Sequence, residues 1–260
     1  MMFTRLRTYF SFVRFSHSVF ALPFALAGAL LASRHAVITA GTLGWILAAM
    51  VSARSAAMGF NRLVDARMDA LNPRTSNREL PRGAMSMREA ALFVTVTSIC
   101  FCYSAWRLSP LCFLLSPVAL AIVFWYSLAK RYTTWTQMFL GLAMAVAPVG
   151  GFDVLYACQD VDFDREHGLR SIPVRFGVAA SLTISRVMHV VTVVCLLALS
   201  LVTPLPSWYA LGVALIAGLL VYEQSLVSAD DLSQVKRAFD LNGYVGILYL
   251  IVLAVAVYVG

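Results

Sequence analysis

Polar and charged residues are gathered into short stretches between long apolar runs. The runs are Phe15–Ser33, Val37–Gly59, Ala90–Trp106, Pro110–Ala129, Trp135–Cys158, Val178–Val202, Trp208–Val227 and Leu241–Val259. Most approach about 20 residues, the length at which a helix crosses the hydrocarbon core of a bilayer. The pattern predicts an all-α, polytopic transmembrane helical bundle of about eight hydrophobic spans. It leaves little chain for anything else, so residues 1–260 read as one membrane-embedded domain. Trp45, Trp106, Trp125, Trp135 and Trp208 fall mostly near the ends of runs, as interfacial aromatics do.

Composition agrees. Hydrophobic residues make up 60% of the chain and charged ones 13%, with a mean hydropathy of +0.80. A soluble domain carries about 25% charged residues, so a soluble enzyme, a disordered tail and a coiled coil are excluded. The net charge of +7 is concentrated in short loops. Basic loops set membrane orientation, and none of them carries a nucleic-acid reader motif. No obligatory protein partner is evident. The five cysteines form no C-x-x-C pair and the four histidines are scattered, which leaves a disulfide, zinc or haem site without support. The basic N-terminus (Arg5, Arg7, Arg14) precedes a run longer than a signal core, with no clean cleavage pattern, and reads as a retained first span.

Candidate chemistry sits at the ends of the runs. Asn61, Asp65 and Asp69 are four residues apart and share one helical face. Two carboxylates and an amide suit a hard cation, and Mg²⁺ is commonly held by a few carboxylates together with substrate phosphate oxygens. Taken alone, the stretch also reads as a solvated loop helix. A second stretch repeats the logic: Asp153, Tyr156, Asp160 and Asp164 fall on one predicted helical face, with Asp162 pointing elsewhere. Asp153 lies inside an apolar run, where an ionisable group is costly and marks function by default. Two such faces fit one shared site.

Arg74, Arg78 and Arg82 follow the first face, and Lys130, Arg131 and Arg170 follow other spans. Singly, each reads as an orientation marker. Together with the carboxylates they describe a cradle for Mg²⁺ and a diphosphate at a membrane surface. A lipid-soluble diphosphate is the matching substrate. Loss of its diphosphate, offset by the metal, would leave an allylic cation for an electron-rich acceptor to capture.

These residues resemble the UbiA superfamily of intramembrane prenyltransferases, and most closely its 4-hydroxybenzoate polyprenyltransferase branch. Matching text includes Arg14-Phe-Ser-His-Ser-Val-Phe-Ala-Leu-Pro, Asn61-x3-Asp65-x3-Asp69, Asn72-Pro-Arg-Thr-Ser-Asn-Arg78 and Leu80-Pro-Arg-Gly83. It continues with Tyr126-Ser-x2-Lys130-Arg131 and Tyr156-Ala-Cys-Gln-Asp160-x3-Asp164-x3-Gly168-Leu-Arg-Ser171. The D-G-x-x-A-R opening of the CDP-alcohol phosphotransferases is absent. The resemblance implies Mg²⁺ held by Asn61, Asp65, Asp69, Asp160 and Asp164, the aspartates being the catalytic set. It implies substrate contacts from Arg74, Arg78 and Lys130, with Tyr156 nearby and Arg170 following the second motif. Arg14 is a candidate partner for an acceptor carboxylate. The implied reaction prenylates an aromatic acid such as 4-hydroxybenzoate ortho to its hydroxyl, in ubiquinone or menaquinone biosynthesis. The implied setting is a bacterial inner membrane with the site toward the cytoplasm.

The resemblance also implies nine helices, and here most of the sixth is missing: Gly141–Gly150 resembles the fifth and Gly151–Asp160 the end of the sixth. Counting spans puts two crossings before the first acidic face and five before the second, on opposite sides of the membrane. That conflicts with a shared site and with the basic residues Arg165, Arg170, Arg175, Lys236 and Arg237. A re-entrant pair of half-helices broken at Pro148-Val-Gly-Gly151 would restore one side. The remaining alternatives are a shortened, inactive member of the family, the same fold with another acceptor (a naphthoate, homogentisate or a porphyrin), and an ion-coupled transporter.

Overall fold

A computed structural model describes residues 8–13, 22–34, 37–136 and 147–259, the main chain alone at 147–150. All regular structure in the described residues is helical. The helices are α1 (Leu22–Ala32), α2 (Ala40–Leu71), α3 (Met87–Leu108), α4 (Pro110–Ala129) and α5 (Ala147–Ala157). A 3₁₀ turn, Cys158–Asp160, leads into α6 (Val161–Glu166), followed by α7 (Ile172–Val202), α8 (Tyr209–Ser225) and α9 (Val235–Tyr258). Every predicted apolar run overlaps a helix, and Pro110–Ala129 matches to the residue. Five of the described helices, α2, α3, α4, α7 and α9, are long and apolar enough to cross a membrane, while α1 and α8 are shorter apolar helices.

Many large apolar side chains face outward, and several small polar ones are buried. Leu111, Leu114, Leu201, Leu211 and Val221 are exposed, whereas Ser52, Ser55, Ser181, Ser185 and Thr192 are buried. Lipid is as apolar as leucine, so helices associate through small and polar residues that permit close approach and hydrogen bonding. The chain is an integral membrane protein by this pattern.

Two compact units divide the fold, one drawn from Met1–Ala25 and Ile38–Leu128, the other from Leu26–Val37 and Ala129–Gly260. In the first, α2 and α3 pack along their length. A Cβ placed on Gly59 would stand 2.9 Å from Val94 Cγ2, so glycine sets that approach. Phe12, Val13, Met85 and Ala90 form an apolar cluster there, and Arg107 lies 5.2 Å over the Trp45 ring. α3 starts on a capping box: Ser86 Oγ accepts from the Glu89 N–H, and the Ser86 N–H donates to Glu89 Oε2 at 2.8 Å.

In the second unit, Ala27 joins Tyr209, Val213, Val252, Leu253 and Ala256 in a buried cluster. α7 is longer than its predicted run because the helix begins before Val178, on a Ser171 cap with Pro173 in its first turn. Its interior is broken at Gly177 (φ 81°, ψ 167°), a backbone setting that favours glycine. The described part of α5 is eleven residues, about 16 Å of helix. Pro148 to Gly151 are helical in their main chain, and the residues directly before Ala147 lie outside the described ones.

Candidate active site

α2 runs unbroken through Leu71, well past the predicted span end at Gly59. Asn61, Asp65 and Asp69 therefore occupy successive turns of one helix. Asn61 Nδ2 donates to Asp65 Oδ2 at 3.2 Å, as the spacing of four requires. Asp65 and Asp69 are buried at 8% and 7% exposure. Arg78 meets Asp69 directly: one terminal nitrogen, Nη1, donates to both carboxylate oxygens at 2.7 and 2.8 Å. The Arg78 Nε–H is buried and has no partner among the described residues. That edge of the guanidinium is a donor suited to an anionic oxygen.

The chain returns from α2 in a compact loop, residues 72–85. Asn72 organises it, accepting from the Thr75 and Ser76 N–H groups on its carbonyl at 2.9 and 2.8 Å, and from the Arg74 N–H on its side chain at 2.9 Å. Buried Thr75 donates its hydroxyl to the Asp69 carbonyl at 3.0 Å, which folds the loop back onto the helix end. Arg74 is exposed at the rim.

Two further charges in this unit escaped the sequence reading. Arg62 Nη1 donates to Glu79 Oε2 at 3.0 Å, with both side chains only 5% exposed. Ser11 Oγ donates to the other Glu79 oxygen at 2.5 Å. Arg62 and Glu79 are 17 positions apart in a charge-rich connection, and no periodicity relates a helix to the loop that follows it.

In the second unit the acidic stretch is not one continuous helical face. Asp153 and Tyr156 lie on α5, Asp160 ends the 3₁₀ turn, and Asp164 lies on α6. Asp160 has φ −107° and ψ 10°, outside α-helical values. A 3₁₀ turn advances each residue by about 120° instead of 100°, so the predicted alignment is shifted across it. Asp164 is buried and Asp160 half-buried. Asp162 does point elsewhere, exposed and 3.6 Å from Arg165. Tyr156 is half-buried, with its ring 4.9 Å from that of Phe239. The Gln159 amide nitrogen is buried without a partner among the described residues. Arg170 and Lys130 are brought together through the main chain, the Arg170 N–H donating to the Lys130 carbonyl at 2.7 Å. The Arg170 guanidinium donates to the Tyr132 carbonyl at 2.8 Å, beside an open cleft lined by Thr134, Ser171, Val174 and Arg175.

A buried polar layer also lies in this unit. Gln224 Nε2 donates to Ser185 Oγ at 2.8 Å and lies 3.1 Å from His189 Nδ1, and Ser185 Oγ donates to the Gly151 carbonyl at 2.8 Å. Arg14 lies outside the described residues.

Among the described residues no three His, Cys, Asp or Glu side chains form a ready-made metal cluster. The donor set still fits a hard divalent cation: carboxylate and amide oxygens at the first face, with an arginine beside them for an accompanying anion.

Apolar helices of crossing length, ending in a carboxylate face closed by an arginine loop, define a membrane-embedded protein with a polar mouth. The chain belongs to the UbiA prenyltransferase family, whose profile matches residues 21–155 and 151–251. The two matched stretches overlap only at 151–155, where the sequence reading puts the missing sixth-helix segment. The chain is similar to a 4-hydroxybenzoate octaprenyltransferase of Escherichia fergusonii, at 30% identity over 82% of this chain and 83% of the relative. Among solved structures, the apo form of a UbiA homolog from Aeropyrum pernix K1 aligns with TM-score 0.83 and 33% identity, covering 92% of this chain and 98% of that one. A UbiA homolog from Archaeoglobus fulgidus bound to GPP and Mg²⁺ shares the fold, with TM-score 0.68, 19% identity and coverage of 95% and 99%.

Proposed function

We propose that this chain transfers a polyprenyl group from polyprenyl diphosphate to an aromatic acid such as 4-hydroxybenzoate, ortho to the hydroxyl, in ubiquinone or menaquinone biosynthesis. The setting is a bacterial inner membrane, with the reaction on the cytoplasmic side. The observation that carries this reading is the first acidic face: Asp65 and Asp69 stand on one helix, and Arg78 holds Asp69 while keeping a buried N–H unused. Similarity to the 4-hydroxybenzoate octaprenyltransferases, and to a fold relative bound to GPP and Mg²⁺, supports it.

In this reading Asn61, Asp65, Asp69, Asp160 and Asp164 hold Mg²⁺, which when bound offsets the charge of the departing diphosphate. Arg78 and Lys130 bind phosphate oxygens, Arg74 and Arg170 add positive charge at the rim, and Tyr156 lies near the reacting end. Arg14 pairs with the acceptor carboxylate. The allylic C–O bond breaks with its electron pair leaving on the diphosphate. The ring carbon ortho to the hydroxyl forms the new C–C bond, and the proton from that carbon is lost to water. The prenyl tail stays among apolar side chains throughout.

The test supplies isolated membranes with polyprenyl diphosphate, 4-hydroxybenzoate and Mg²⁺ and measures prenylated product. Asp65→Ala and Asp160→Ala are each expected to abolish turnover, and chelation of Mg²⁺ to do the same. Retained activity in both variants overturns the mechanism. Product from a naphthoate, homogentisate or a porphyrin alone reassigns the acceptor, and substrate flux without pyrophosphate release favours transport. A wild-type chain that makes no product with any acceptor is the shortened, inactive member.

A further inference from the structure

The Arg62–Glu79 pair lies outside every role assigned above, yet it sits at the base of the loop that carries Arg78. Glu79 is the meeting point of three parts of the first unit. Its side-chain oxygens take Ser11 Oγ from the 8–13 helical stretch and Arg62 Nη1 from α2. Its carbonyl takes the Ala84 and Met85 N–H groups, at 2.9 and 3.2 Å, as the chain turns toward α3. Arg78, the preceding residue, reaches Asp69. Arg62 precedes Asp65 and Asp69 by three and seven positions, on the same stripe of α2. A displacement of Glu79 therefore moves the Cα next to it, and with it the guanidinium that meets the acidic face.

We propose that Arg62 and Glu79 are positioning residues for diphosphate binding: their buried ion pair holds the 72–85 loop closed on α2 and so sets where Arg78 stands relative to Asp69. The proposal rests on the diphosphate reading of the same site. Asp69 and Arg78 neutralise each other in the structure. When an anion and its cation arrive together, Asp69 can turn to the cation and Arg78 to the anion, so that each charge keeps an opposite partner. That exchange needs a loop that stays in place while its arginine changes partner, and the Glu79 anchor supplies the fixed point. A buried pair serves this better than an apolar contact because its geometry is directional and removal of either partner leaves a buried charge without its counter-ion.

The test compares Glu79→Gln, Arg62→Gln, the exchange Arg62→Glu with Glu79→Arg, and Glu79→Asp, each checked for its thermal midpoint in detergent. Turnover is followed while prenyl diphosphate, Mg²⁺ and aromatic acid are varied separately, and binding of Mg²⁺ with inorganic pyrophosphate is measured in parallel. The neutral variants are expected to raise KM for prenyl diphosphate about tenfold or more, as small misplacements of a binding group do. KM for the aromatic acid stays where it was, and the exchanged pair or Glu79→Asp recovers part of the loss. An unchanged KM for prenyl diphosphate, or an equal fall in every parameter accompanied by a lower thermal midpoint, overturns the proposal. A wild-type chain that binds Mg²⁺ and pyrophosphate without turnover defeats the transfer reading alone, and weaker binding in the neutral variants then still supports the positioning role. A wild-type chain that binds neither defeats both.

Discussion

Asp69 is held in two ways that act on different parts of it. Its carboxylate takes both contacts from one nitrogen of Arg78, and its carbonyl takes the hydroxyl of Thr75. The two can be separated by substitution. Thr75→Val removes a buried neutral hydrogen bond and is expected to lower stability by about 1 kcal/mol, read as a lower thermal midpoint with little change in KM. Arg78→Lys keeps a charge for Asp69 but loses the Nε–H, so KM for prenyl diphosphate should rise by about tenfold while folding is spared. Equal effects of the two substitutions on KM would contradict this division of labour. Asn61, Asp65 and Asp69 were legible in the sequence because a spacing of four has one meaning on an unbroken helix. Arg62 and Glu79 were not, since a contact across a loop leaves no period and each residue resembles an ordinary surface charge until its burial is known.

The elements show the same division. The apolar runs gave their helices because bilayer thickness imposes a length that composition reveals directly. Their ends were less legible, as polar residues do not stop a helix: α2 continues through Arg62, Asp65, Arg67 and Asp69 to Leu71. The second acidic stretch was read as one face because nothing in Cys158-Gln-Asp160 announces a 3₁₀ turn. Gly177 stands just before the predicted run Val178–Val202, whereas the structure makes it a break inside α7 with φ 81°. Gly177→Ala should therefore cost about 1–3 kcal/mol, the usual penalty for a non-glycine residue in that region. A thermal midpoint equal to wild type would show that the backbone relaxes there without strain.

At the scale of the whole molecule, sequence arithmetic left the number of crossings between the two aspartate motifs as the open constraint. Eleven residues of α5 are described, directly after the undescribed stretch 137–146, and the family profile matches in two stretches that meet at its residues. If both motifs serve one reaction, they face one side of the membrane. Cysteines introduced at Arg67 and Asp162, both exposed, are then expected to react with a membrane-impermeant maleimide from the same side of sealed vesicles. Labelling from opposite sides would sink the single-reaction reading, whatever the activity of either variant.

The length of α2 has a consequence for how such a protein would meet its substrate. Its 32 residues span about 48 Å, well beyond the roughly 30 Å of hydrocarbon, and the excess is the carboxylate-bearing end. A tailed diphosphate already rests at that depth, with its chain among the acyl chains and its charge among the headgroups. Encounter is then a lateral search in two dimensions, and no hydrated ion has to enter the oil. The concentration that governs rate is the mole fraction of the tailed substrate in the membrane, so added inert lipid should slow turnover even when the amount of substrate per volume of buffer is held constant.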